Sequence, residues 1–137
     1  MDLKDFHTRE ESEAGLEVPL YDSKTGEKSE HTLRVRNCDS NEYQLARIGY
    51  QRTRAIVSAE SDDAKACLLE LAYQRKLSAS LVMGWSFEEK CTPEAVVDLF
   101  KNAPGIQEMV ERIAADRQLF FTLKNLELLD TSESKPS

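Results

Sequence analysis

Thr92-Pro93-Glu94 is the clearest helix start in the chain, and the stretch around it, Trp85 to Phe121, constrains the fold most. A threonine side chain caps orphan backbone N–H groups, and proline suits the first helical position, where no N–H is needed. Glutamate in the first turn complements the helix dipole. The helix so begun holds Val96, Val97, Leu99 and Phe100, and it ends before Asn102-Ala103-Pro104-Gly105. A last helix is expected from about Gly105, with Ile106, Met109, Val110, Ile113 and Phe120 at helical intervals and Leu123, Leu126 and Leu129 as its continuation.

Upstream, Leu16, Val18 and Leu20 alternate with Glu17, Pro19 and Tyr21. After the turn-rich Asp22-Ser23-Lys24-Thr25-Gly26, Leu33 and Val35 alternate with Thr32, Arg34 and Arg36. This predicts a β-hairpin over 16–37, with Pro19 confining the first strand to an edge. Asp39 or Ser40 caps a helix over about 41–59, with Tyr43, Ala46, Tyr50 and Val57 close to one face. Ser61 or Asp62 caps a second, which carries Cys67, Leu68, Leu71, Ala72, Leu81 and Val82 towards a stop at Gly84. Residues 85–91 are expected as a loop. Residues 1–15 read as a flexible arm and 130–137 as a disordered polar tail. The expected fold is mainly α (α+β): one domain over 16–129, four compact helices with an N-terminal β-hairpin.

Length and composition allow one domain with a real core: 137 residues, 40% hydrophobic and 31% charged. No apolar run is long enough to cross a membrane, and the first residues lack the pattern of a secretory signal. Three widely spaced cysteines, Cys38, Cys67 and Cys91, fit a reducing cytoplasm rather than a disulfide framework. The net charge is −7, with 9 acids and 4 bases in residues 1–31, 2 and 5 in 32–58, and 14 and 9 in 59–137. Such a balance argues against duplex nucleic acid as a partner. Arg34, Arg36, Arg47, Arg52 and Arg54 with Tyr43 and Tyr50 read instead as a solvated face, suited to an acidic partner or a second copy.

Catalytic chemistry is not evident in the sequence. The cysteines and His7 and His31 lack the short ligand spacing of a structural zinc site, and neither histidine flanks a nucleophile in a motif. Glu88-Glu89 and Asp62-Asp63 are adjacent and point apart, and no phosphate-binding glycine loop occurs. The chain therefore reads as a non-enzyme with no catalytic, cofactor or metal residues. Trp85, Phe87, Phe100, Phe120 and Phe121 admit two readings, core anchors or a groove for a partner's amphipathic helix. They are the candidate partner-binding residues. Phe120 and Phe121 cannot face one way on a helix, so one of them is expected to leave the main core.

The order of these pieces resembles the tail assembly chaperone family of long-tailed bacteriophages. The likeness runs over residues 2–121. It comprises Asp2-Leu3-Lys4-Asp5-Phe6, Leu16-Glu17-Val18-Pro19-Leu20 with Thr25-Gly26, Val35-Arg36-Asn37-Cys38-Asp39-Ser40, Trp85-Ser86-Phe87, Thr92-Pro93-Glu94 and Asn102-Ala103-Pro104. The resemblance implies a protein of the host cytoplasm, absent from the mature virion. It would bind the tape measure protein, keep it soluble and help recruit tail tube protein. Nucleic acid and membrane are not expected as partners, and a homo-oligomer is left open. The alternative is a structural tail or head–tail joining component retained in the virion, its hairpin augmenting a neighbour's sheet.

Overall fold

Alternating apolar residues build the centre of the molecule. The computed structural model describes residues 1–133, with side chains as far as residue 129. Strand β1 (Leu16–Tyr21) turns Leu16, Val18 and Leu20 inward, and β2 (Lys28–Val35) does the same with Leu33 and Val35. The two pair antiparallel, Leu16 opposite Val35 and Val18 opposite Leu33, so both apolar sets share one face. Pro19 lies in β1, an edge strand of the sheet, where a missing ladder donor is tolerated.

A third strand, β3 (Val82–Trp85), pairs antiparallel with β2, giving the order β1-β2-β3 among the described residues. Three helices supply most of the rest of the core, with Ala79 and Leu81 just before β3 completing it. Helix α5 (Pro93–Asn102) buries Val96 and Phe100, one turn apart, and α6 (Pro104–Ala115) buries Val110, Ile113 and Ala114. Phe120 enters fully buried from α7 (Arg117–Glu133). Asn37, also fully buried, ties this body together. Its backbone N–H donates to Ser12 O at 3.1 Å, its Nδ2 to Ala114 O at 3.2 Å, and its Oδ1 accepts from Asp39 N at 3.0 Å.

The remaining helices, α2 (Asn41–Arg52), α3 (Arg54–Ala59) and α4 (Asp63–Ala79), pack on one another and reach the body through α4, against α5 and α6. Neither α2 nor α3 contains a fully buried residue, and α4 buries only Ser78 and Ala79 at its end. Tyr43, Ala46, Tyr50 and Val57, the row that the sequence spacing predicts, are half-buried on α2 and α3, and Thr53 between the two helices joins them.

The fold is mainly helical with a small three-stranded antiparallel sheet, and several expectations are corrected. There are more than four helices, because the 41–59 helix divides at Thr53 and the last helix divides at Asp116. Thr53 Oγ1 donates to Tyr50 O at 2.6 Å, diverting that carbonyl from regular pairing. Asp116 is extended and restarts the chain, its side chain accepting from Leu119 N at 3.0 Å. Asp62 and Ser40 are the caps of α4 and α2, but Gly84 is no helix stop. It sits inside β3, opposite Arg34. Residues 1–15 contain a 3-10 turn (Leu3–Phe6) and α1 (Arg9–Ala14), and Ser12 and Gly15 are buried. At the other end, α7 runs to Glu133, through the first part of the tail expected over 130–137, and 134–137 lie outside the described residues.

Candidate partner-docking groove

The five aromatic residues singled out in the sequence do not form one surface. Phe100 and Phe120 are fully buried in the core cluster, so neither is exposed to a partner. Phe121, the residue after Phe120, is half-buried and meets it edge-on with ring centroids 5.2 Å apart. It points another way than Phe120 but stays packed against the core rather than leaving it.

Trp85 and Phe87 stay together, half-buried at the end of β3. Their rings meet edge-on at 5.3 Å, and Phe87 stacks on His31 at 4.5 Å. Trp85 Nε1 donates to Glu89 O at 2.6 Å, which closes the 85–89 turn. Ser86 Oγ accepts from Thr32 N at 2.9 Å and bonds His31 Nδ1 at 3.1 Å, fixing this corner to β2. A cleft of about 340 Å³ opens between these rings and Ala95, Leu99 and Asn102 of α5.

The larger opening lies elsewhere. A groove of about 550 Å³ runs between α2, α4, β3 and the start of α5. Its apolar lining includes Ala46, Leu77, Val82, Met83 and Pro93, and Arg36, Lys76 and Glu42 supply its charge. Arg36 Nη1 donates to Ser80 O at 2.6 Å, so this cation is held at the wall. Tyr50 at the groove donates to Glu70, an acceptor bond that raises the phenol's pKa above the ordinary tyrosine value.

Helical geometry extends this groove beyond its enclosed part. At about 100° per residue, Glu42, Leu45, Gly49, Arg52 and Ile56 form one row along α2 and α3, and two of them, Glu42 and Gly49, line the groove. On α4 the matching row is Lys65, Leu68, Ala72 and Lys76, of which Lys76 lines it. Every residue of both rows is exposed, with Leu45 at 69% and Leu68 at 66%. Leu45, Ile56, Leu68 and Ala72 of these rows form an exposed apolar strip beside the groove, interrupted by Gly49 and Arg52. Its bases, Arg36, Arg52, Lys65 and Lys76, outnumber its one acid, Glu42. No family model, curated protein or solved structure matches the chain.

In the sequence, Leu68, Leu71 and Ala72 stand out only as apolar residues of the helix after Asp62, with no face assigned to them. The signal was present: Leu45, Ile48 and Ile56 fall outside the Tyr43–Val57 row, so α2 and α3 carry apolar residues on two faces. Cys91 lines the groove and Cys38 lies near the α6 end, and burial pushes both thiols above the ordinary cysteine value. Among the described residues, no three His, Cys, Asp or Glu side chains gather as a metal would require, and no helix is long and apolar enough to cross a membrane.

Proposed function

We propose that this chain is a tail assembly chaperone of a long-tailed bacteriophage. It binds the tape measure protein, keeps it soluble and helps recruit tail tube subunits. It acts in the host cytoplasm, without catalysis, and leaves before the virion is complete. The observation that carries this reading is the exposed strip of Leu45, Ile56, Leu68 and Ala72 continuing the apolar groove. A long helical protein exposes apolar stripes that aggregate in water, and a helix-in-groove contact covers such a stripe with few specific bonds. An acidic periphery on the remainder of the chaperone, whose net charge is −7, keeps the complex soluble.

Co-expression with the tape measure protein of the same genome tests the proposal. The expected result is a soluble complex that co-purifies, and its loss in the double variant Leu45→Ser, Leu68→Ser, whose own melt stays near that of the wild type. A tape measure protein that precipitates whether or not the chain is present would overturn it.

A further inference from the structure

The cleft of about 340 Å³ beside Trp85 shares no lining residue with the larger groove. Two of its walls are aromatic. The rings of Trp85 and Phe87 stand at 83° to each other, so they make a corner rather than a flat stack. Each ring is held from outside the cleft's polar lining: Glu89 O takes the indole N–H at 2.6 Å, and His31 stacks on Phe87 at 4.5 Å. The charged lining is acidic, Glu89 from the turn and Asp98 from α5. Asp98 Oδ1 accepts from Asn102 Nδ2 at 3.4 Å. Among the described residues neither carboxylate is in an ion pair, although Lys90 and Lys101 lie close to them in sequence. Residues 85–102 carry the acids Glu88, Glu89, Glu94 and Asp98 against those two bases, so the chain itself leaves this corner negative.

We propose that this cleft receives a cationic side chain, an arginine presented by a partner protein. An aromatic face attracts a cation through its ring quadrupole, tryptophan most strongly, and an adjacent carboxylate adds direct charge attraction. Arginine fits this pairing better than lysine. Its planar guanidinium stacks on a ring while its N–H fork meets a carboxylate, and it gives up water more easily than an ammonium group. A neutral apolar side chain leaves Glu89 and Asp98 without a counterpart, and an acidic one is repelled. The volume lies at the low end of ligand pockets, which suits one long side chain rather than a helix. A single contact of this kind is weak, and its effect within a larger interface is to set which partner docks and in what register. The inference concerns this corner of the chain alone and does not rest on the chaperone reading.

Trp85 is the only tryptophan of the chain, so its fluorescence reports on the cleft directly. The purified full chain is titrated with three end-capped peptides, Gly-Gly-X-Gly-Gly, in which X is arginine, lysine or citrulline. Citrulline keeps the planar shape of arginine without its charge, and lysine keeps the charge without the shape. The arginine peptide should give a saturable change at millimolar concentration that weakens with salt. Lysine should bind several-fold more weakly and citrulline roughly tenfold more weakly. The double variant Glu89→Gln, Asp98→Asn retains the reporter and both side-chain shapes, and its affinity for the arginine peptide should fall roughly tenfold. Both positions are exposed, circular dichroism checks that the variant folds, and Asp98→Asn alone replaces it if it does not. No saturable change with the arginine peptide, lysine or citrulline binding as tightly as arginine, or a variant that binds like the wild type overturns the inference.

Discussion

Arg117 and Asp39 form a bidentate ion pair, with Arg117 Nε and Nη2 each 2.7 Å from one carboxylate oxygen. The pair joins the first turn of α7 to the segment that leads into α2. Arg117's hydrogen bonds, more than its charge, hold the Asp39 carboxyl below the ordinary aspartate range. A depressed folded-state pKa stabilises above the unfolded value and is lost as pH falls through the folded one. Arg117 is exposed enough for solvent to screen much of the attraction, so the effect is small. The melting temperature of Arg117→Gln should therefore lie slightly and evenly below the wild type from neutral pH to about 5. The gap should start to narrow as pH falls below about 4, the ordinary aspartate pKa, and close only once pH has passed below the depressed folded-state value. Melts recorded across that range check it, and a gap that persists in acid would mean that the pair contributes nothing through ionisation.

At the scale of elements, α5 depends on its cap. Thr92 accepts from Ala95 N at 3.1 Å, and the helix it starts delivers Val96 and Phe100 to the core. Thr92→Ala should cost about 1 kcal/mol in a urea titration, with the slope against denaturant unchanged. This helix was legible because its signals are local: a hydroxyl, a proline and a carboxylate in successive positions. The hairpin was legible for the same reason, since alternation and a turn are contained in twenty residues. Strand β3 was not. It is four residues long, shows no period, and its pairing with Leu33, Arg34 and Val35 joins positions some fifty residues apart. Gly84 reads equally as a helix stop, and only its partner strand decides otherwise. The divisions at Thr53 and Asp116 hide in ordinary polar residues that a helix tolerates. Of the candidate site, Trp85 and Phe87 stood in the sequence among five aromatics that could be core or groove, and which of the five are buried depends on how α5, α6 and α7 close together.

For the whole molecule, the core and the strip make opposite demands on a substitution. Phe100→Ala removes a fully buried ring and should cost about 3–5 kcal/mol, a large part of the 5–15 kcal/mol that a domain of this size has. Leu45→Ser and Leu68→Ser alter side chains already mostly in water, and each should shift stability by roughly 0.5 kcal/mol or less. Thermal melts of the three variants should separate cleanly, the first largely unfolded at growth temperature and the others nearly unchanged. A large loss from the strip variants would mean that α2–α4 hold the body together rather than face a partner. Gly15 links the beginning of this body to its end. Its φ of +79°, with ψ near 180°, belongs to a region that only glycine occupies readily, and a Cβ there would meet the Met83 sulfur at 2.5 Å. In that pose its carbonyl accepts from Arg34 and from Lys124, the second lying 109 residues further along the chain. Synthesis therefore delivers the two halves of this joint at very different times. While the chain is being made, the Gly15 carbonyl lacks its Lys124 partner, and Leu16, Val18 and Leu33 lack Phe120, until the last helix is complete.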